Sequence, residues 1–250
     1  MCYTHGMENY KIIVEYVGKN YSGWQIQDGK ETIEGNLLRA IKEISGEETT
    51  VYGSGRTDAG VRAAFQVASF CLKKIFGPQK LVLALNAHLP DDISVRSAEI
   101  VSDNFNARFS AKKKTYRYYF YISPNRSAIF DQFALQVKRA DITKMKDSCK
   151  YLVGEKDFQS FVARNSGKTN FVRTIFDAKI NHVENELYFF EITGSGFLYN
   201  MVRIIMGTLI ACGEEKIQPS DVEKIIKAKD RTKAGKTVSP VGLCLANVEY

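Results

Sequence analysis

Between Ile192 and Gly213 the chain carries a single charged residue, Arg203, inside the run Phe-Leu-Tyr-Asn-Met-Val-Arg-Ile-Ile-Met-Gly-Thr-Leu-Ile. A stretch this apolar either crosses a membrane or lies in a protein core. Glycines at 194, 196 and 207 and the central arginine argue against a span, which needs about 20 predominantly apolar residues. The stretch reads instead as a buried strand, a glycine turn and a buried helix. A core is affordable for such a chain, because it has 250 residues of which 44% are apolar and 12% aromatic. That composition excludes a disordered segment and a disulfide-stapled miniprotein.

The five cysteines (Cys2, Cys71, Cys149, Cys212, Cys244) are odd in number, scattered, and form no C-x-x-C pair, so they read as reduced thiols of an intracellular protein. The histidines His5, His88 and His182 have no cysteine or carboxylate at ligand spacing, and no metal is expected. No basic region followed by an apolar run opens the chain, which makes the cytoplasm the expected location and a membrane an unexpected partner.

Periodicity lays out two α+β halves. Tyr10–Tyr16, Val67–Leu72 and Ser94–Ile100 alternate as strands around helices at Thr32–Ile44 and Gln79–His88. The second half repeats that flavour, with a strand at Tyr116–Ile122 and a helix at Ile142–Leu152 whose apolar residues fall at 142, 145, 149 and 152. Strands near 172–182 and 186–193 precede the buried helix, Ser220-Asp-Val-Glu223 forms a capping-box pattern, and a strand near 243–249 closes the chain. The expected architecture is a first half over residues 1–105 and a second over 106–250, each with largely antiparallel pairing, and a cleft between them as the natural place for a ligand.

Charge is concentrated. The formal net charge is +7, and from Asn104 to Phe130 six basic residues (Arg108, Lys112, Lys113, Lys114, Arg117, Arg126) occur with no acid. The same tract holds Phe105, Phe109, Tyr116, Tyr118, Tyr119, Phe120 and Tyr121. It is either a nucleic-acid track of phosphate-binding cations and base-stacking rings, or a half-buried strand with core rings and solvated lysines. Two smaller acid-free tracts add Arg164, Lys168 and Arg173, then Arg231, Lys233 and Lys236.

A second feature is Gly53-Ser-Gly-Arg-Thr-Asp-Ala-Gly60. Its third glycine falls too late for a dinucleotide fingerprint, and no Lys-Ser/Thr makes it a phosphate loop. It is a glycine-rich turn that presents Arg56 and Asp58, the aspartate serving chemistry or only a local hydrogen bond. Arg203 bears on the choice: a guanidinium in an apolar helix needs a carboxylate or a ligand phosphate, and Asp58 is a reasonable partner.

These residues carry a resemblance. Tyr21-Ser-Gly-Trp-Gln-Ile-Gln27, Gly55-Arg-Thr-Asp-Ala-Gly-Val61, Ala84-Leu-Asn86 with Leu89-Pro-Asp-Asp-Ile93, Phe105-Asn-Ala-Arg-Phe-Ser-Ala111, Tyr116-Arg-Tyr118, Asp157-Phe158, Phe197-Leu-Tyr-Asn-Met-Val-Arg203 and Ala234-Gly-Lys-Thr237 with Gly242-Leu243 occur in an order and spacing that resembles the TruA family of tRNA pseudouridine synthases over essentially the whole chain. The resemblance implies a pseudouridine synthase fold around a central RNA-binding cleft, a homodimer, no cofactor, and isomerisation of uridines just 3′ of the tRNA anticodon. It makes Asp58 the catalytic aspartate, with Tyr116 stacking on the target uracil and assisting removal of its C5 proton. Arg203 pairs with Asp58, Arg56 helps extrude the nucleotide, and Arg108, Lys112, Lys113 and Lys114 join the RNA contacts.

Such an aspartate attacks C1′ of the sugar or removes the C2′ proton, and the residues do not choose between the two. The readings to be set against isomerisation are a non-catalytic RNA-binding module, a paralogue acting on another RNA, and a hydrolytic N-glycosidase. Departures from the family pattern are Arg62 and Asn106 where histidine is usual, Lys156 before Asp157-Phe158, and Thr237-Val-Ser-Pro240; they bear on RNA specificity rather than on catalysis.

Overall fold

The structure is a computed structural model that describes residues 6–163 and 169–250. The chain separates into two compact units, Met1–Lys112 with Leu245–Tyr250, and Lys113–Cys244. Both mix helices with largely antiparallel strands.

The first unit contains β1 (Glu8–Tyr16), α1 (Ile33–Ser45), β2 (Tyr52–Gly53), β3 (Arg62–Leu72), α2 (Pro78–Asn86) and β4 (Ile93–Val101). β1 lies between β3 and β4, antiparallel to both, and β2 pairs with β3. Tyr10, Ile12, Val14 and Tyr16 of β1 are buried while Lys11, Ile13 and Glu15 between them are not, the period of two expected of a strand with one covered face. β3 begins at Arg62 rather than Val67, because pairing resumes across a bulge and sets Tyr16 opposite Ala63. On α1, Ile33, Leu37 and Ile41 are fully buried at helical spacing. Thr32 caps this helix by accepting a hydrogen bond from the Gly35 amide at 3.2 Å.

The second unit runs through β5 (Lys113–Ile122), β6 (Leu135–Val137), α3 (Ile142–Cys149), β7 (Gly154–Asp157), β8 (Val172–Glu184), β9 (Leu187–Gly194), α4 (Met201–Gly213) and α5 (Asp221–Ala228). β10 (Leu243–Glu249) closes the chain. β9 lies between β5 and β8, and β7 extends the sheet beyond β8, all antiparallel; β6 runs parallel to β5. The apolar run is the strand, glycine turn and buried helix its composition requires. No helix among the described residues is long and apolar enough to cross a membrane.

Three further expectations need correction. α3 stops at Cys149 instead of Leu152. The capping box at Ser220 does not form: Ser220 is itself in the right-handed helical region and caps nothing, while Asp221 Oδ2 accepts from the Gln218 amide at 2.9 Å. Glu223, which should reach back, instead meets Lys227 Nζ at 2.7 Å. The third concerns the thiols. Cys149, Cys212 and Cys244 keep their thiols, but Cys71 is disulfide-bonded, since wide spacing in sequence says nothing about proximity in the fold. Cys2 and His5 lie outside the described residues. Burial pushes the Cys149 thiol up to about 12, which makes it an inert core residue.

Candidate active site

The glycine-rich loop of the first unit is fixed from below by polar groups in an otherwise apolar interior. Gln66 of β3 is fully buried. Its Oε1 accepts from the Ser54 hydroxyl at 2.6 Å and its Nε2 donates to the Gly55 carbonyl at 2.9 Å and, at 3.5 Å, to the Tyr16 hydroxyl. That hydroxyl in turn shares a buried hydrogen bond of 2.8 Å with Thr57 Oγ1. On the other side the Trp24 amide donates to the Thr57 carbonyl at 3.1 Å, and the Val61 amide closes the turn on the Asp58 carbonyl at 3.2 Å.

Trp24 also accounts for Gly53, where a β-carbon would lie 2.5 Å from the indole. The consequence is local alternation: Thr57 is buried, Arg56 is exposed and Asp58 is half-buried. The two residues expected to face a ligand thus flank one that is clamped in place.

The second unit supplies Tyr116 and Arg203. Tyr116 lies on β5 opposite Ile192, is 7% exposed, and meets the Phe197 ring edge-on with centroids 5.1 Å apart. Arg203 sits in the first turn of α4, behind Asn200 in the left-handed region (φ 61°). Its Nη1 donates to Asn200 Oδ1 at 2.7 Å and its Nε to the Val238 carbonyl at 2.8 Å.

The segment carrying Val238 is itself strapped to α4. The Gly235 amide donates to buried Thr208 Oγ1 at 2.8 Å, and a β-carbon on Gly207 would fall 1.9 Å from the Lys236 carbonyl oxygen. Arg231 holds the strap's turn through Ala234 O at 3.3 Å and Thr237 Oγ1 at 3.1 Å. Beside it, Tyr118 is fully buried and donates to Ser239 O at 2.6 Å. Burial raises the Tyr118 hydroxyl well above the ordinary tyrosine range, and Arg203 partly opposes that rise.

The basic aromatic tract divides in space. Tyr116, Tyr118, Phe120 and Tyr121 are buried, Phe105 packs on Tyr250 with centroids 5.0 Å apart, and Phe109 is 76% exposed. Most of these rings are therefore core. Arg117 meets Glu191 at 2.7 Å and Arg126 meets Asp131 at 3.4 Å, so two of the six cations are locally balanced. The Glu191 carboxylate holds the Arg117 guanidinium above its ordinary range. Arg108 and Lys112 are exposed, Lys113 and Lys114 half-buried, and Lys113 Nζ lies 5.4 Å from the centre of the Phe176 ring. Arg164 and Lys168 fall outside the described residues. Among the described residues no group of three or more histidines, cysteines and acids is arranged to hold a metal ion.

Sequence reasoning passed over Tyr16, Ser54 and Gln66. A signal existed for the last: a glutamine interrupts the otherwise apolar Ala63-Ala-Phe-Gln-Val-Ala of a strand. A buried amide demands partners, and the ones it finds define the loop.

Comparison with known proteins gives the family of the chain. The family model described as tRNA pseudouridine synthase matches residues 12–110 and 148–250, and the chain belongs to that family. The tRNA pseudouridine synthase A of Caldicellulosiruptor saccharolyticus is 45% identical to it, with 98% of this chain and 100% of the relative aligned. The tRNA pseudouridine synthase A of Clostridium acetobutylicum is 43% identical over the same shares. A solved structure described as that of a Cbf5-Nop10-Gar1 complex is matched over 94% of this chain and 57% of that one, at 14% identity and a TM-score of 0.36.

Proposed function

We propose that this chain isomerises uridine to pseudouridine in the anticodon arm of tRNA, with Asp58 as the catalytic carboxylate. The observation that carries the reading is the presentation of Asp58 on a loop clamped through Tyr16, Thr57 and Gln66, within a chain whose family and near relatives are named for this reaction. The reaction breaks the bond from C1′ to N1, turns the base while it is held, and forms a bond from C1′ to C5. The C5 proton leaves and N1 regains one, so no atom and no electron is gained or lost. Such chemistry calls for no redox or group-transfer cofactor. It calls for a carboxylate at the sugar, acting at C1′ or on the C2′ proton, and for a site that keeps the freed uracil.

In this reading Arg203 pairs with Asp58 and keeps it ionised and aimed, a charge-assisted contact that suits a planar guanidinium. Tyr116 stacks on the target uracil and assists loss of its C5 proton. Arg56, exposed two residues before Asp58, helps extrude the target nucleotide, offsetting part of the few kcal/mol that unstacking costs. Arg108, Lys112, Lys113 and Lys114 contact phosphates, and the protein works as a homodimer in the cytoplasm.

The test is to incubate the purified protein with an unmodified tRNA transcript in the presence of a chelator and map pseudouridine. Product confined to the anticodon arm is the expected result. Free uracil would identify a glycosidase, and binding without any conversion would leave an RNA-binding module.

A further inference from the structure

The turn Asn106–Ser110 has a fixed base and an exposed tip. Asn106 Oδ1 accepts from the Arg108 amide at 2.9 Å and the Phe109 amide at 3.2 Å, while the Ser110 amide donates to the Asn106 carbonyl at 2.9 Å and Ser110 Oγ accepts from the Asn106 amide at 3.2 Å. Below the turn, Ala107 is fully buried; its amide donates to Ser69 Oγ at 3.0 Å and its carbonyl accepts from the Tyr250 hydroxyl at 2.8 Å. The segment leading in is held as well, because buried Asn9 donates to the carbonyls of Ser102 at 2.9 Å and Phe105 at 3.0 Å.

On this rigid base Phe109 is 76% exposed, more than any other large hydrophobic side chain among the described residues. The Arg108 guanidinium lies 5.4 Å from its ring centre.

A ring held in water by a fully hydrogen-bonded turn gains nothing for the fold. It does match the needs of an aromatic ligand, because the backbone that carries it is ordered before anything binds. The neighbouring chemistry selects the ligand: a guanidinium lies against the ring and exposed Lys112 follows. A cation beside an open π-face fits a base joined to a phosphate. We propose that Phe109, backed by Arg108, is a stacking contact for an unpaired base of the bound RNA. The inference rests on the RNA-isomerase reading and adds to it a contact made by a ring outside the buried strand.

The experiment uses Phe109→Trp. The chain has one tryptophan, Trp24, which is 2% exposed, so an indole at 109 supplies a separate, solvent-facing signal. Its emission is expected to be quenched as tRNA is added, saturating with binding, and to be quenched far less by a blunt RNA duplex of equal length. In parallel, Phe109→Ala is expected to raise KM for tRNA about 5- to 150-fold, the range for losing one stacked base, with a smaller effect on kcat. Phe109→Tyr should restore KM and Phe109→Leu should not.

Unchanged emission at saturating tRNA, equal quenching by the duplex, or a wild-type KM in Phe109→Ala would each overturn the proposal. So would quenching on raising protein concentration alone, which would assign the ring to a second copy of the chain. A wild-type protein that binds tRNA and forms no pseudouridine would refute the isomerase reading, while the emission change would still report whether Phe109 stacks.

Discussion

At the scale of single residues, the account turns on how a carboxylate is aimed. Asp58 owes its position to Gln66, whose amide meets Ser54 and Gly55, and to Tyr16, whose hydroxyl meets Thr57. Gln66→Leu removes a hydrogen bond of the Ser54 hydroxyl and one of the Gly55 carbonyl at once. An intramolecular hydrogen bond contributes ~0.5–1.5 kcal/mol net, so urea denaturation should show a loss of about 1–3 kcal/mol for the two, and kcat should fall more than binding changes. Gln66→Glu gives a sharper reading. A glutamic acid in this interior has its pKa raised by burial, and only the protonated form can donate to the Gly55 carbonyl. Activity of Gln66→Glu should therefore persist at low pH and disappear as pH rises through that raised value, a fall that the wild-type profile lacks; parallel profiles would contradict the clamp. The loop that presents Asp58 and Arg56 was legible in the sequence because its motif is contiguous. The clamp was not, because Tyr16 and Gln66 stand 50 residues apart and only the β1–β3 pairing brings them together.

At the scale of elements, local signals succeeded where the backbone alone decides and failed where neighbours do. Thr32, read in the sequence as the first residue of the helix, is the cap of α1, whereas Ser220 has the right sequence and the wrong backbone. Thr32→Ala should accordingly cost ~1 kcal/mol and Ser220→Ala less than about 0.5 kcal/mol in equilibrium unfolding. Equal losses would show that the assignment of caps is wrong. The strap across α4 makes a stronger demand. A β-carbon on Gly235 would lie 2.4 Å from the backbone at Gly207 and Thr208, so Gly235→Ala must lift the segment that holds Arg203 through Val238. The expected result is a stability loss of roughly 1–3 kcal/mol together with reduced kcat. Gly196→Ala, whose β-carbon meets nothing nearer than 3.8 Å, should change stability by less than about 0.5 kcal/mol. The apolar run around α4 announced a buried helix, but nothing in it announced a backbone packed directly on that helix.

At the scale of the whole molecule, the α+β organisation and the antiparallel pairing could be read from alternating and helical periodicities, because each unit buries one face of its strands. The charge pattern was legible only in part. Acid-free in sequence, the tract from 104 to 130 acquires acids in space: Glu191 arrives from β9 and Asp131 lies just beyond the tract. Arg117 and Arg126 should therefore contribute little to RNA affinity, while exposed Arg108 and Lys112 contribute phosphate contacts. Titrating RNA binding against salt tests this: Arg108→Ala and Lys112→Ala should each lower the log–log slope by about 1, and Arg117→Ala and Arg126→Ala should leave it nearly unchanged. A slope that falls equally for all four would contradict the division of the tract. The central claim, that a single clamped carboxylate performs the isomerisation, is tested most directly by Asp58→Asn under single-turnover conditions with enzyme in excess over a tRNA transcript. The account predicts tRNA binding within about twofold of wild type and no pseudouridine in the anticodon arm; product formed at a rate near that of the wild type would contradict it.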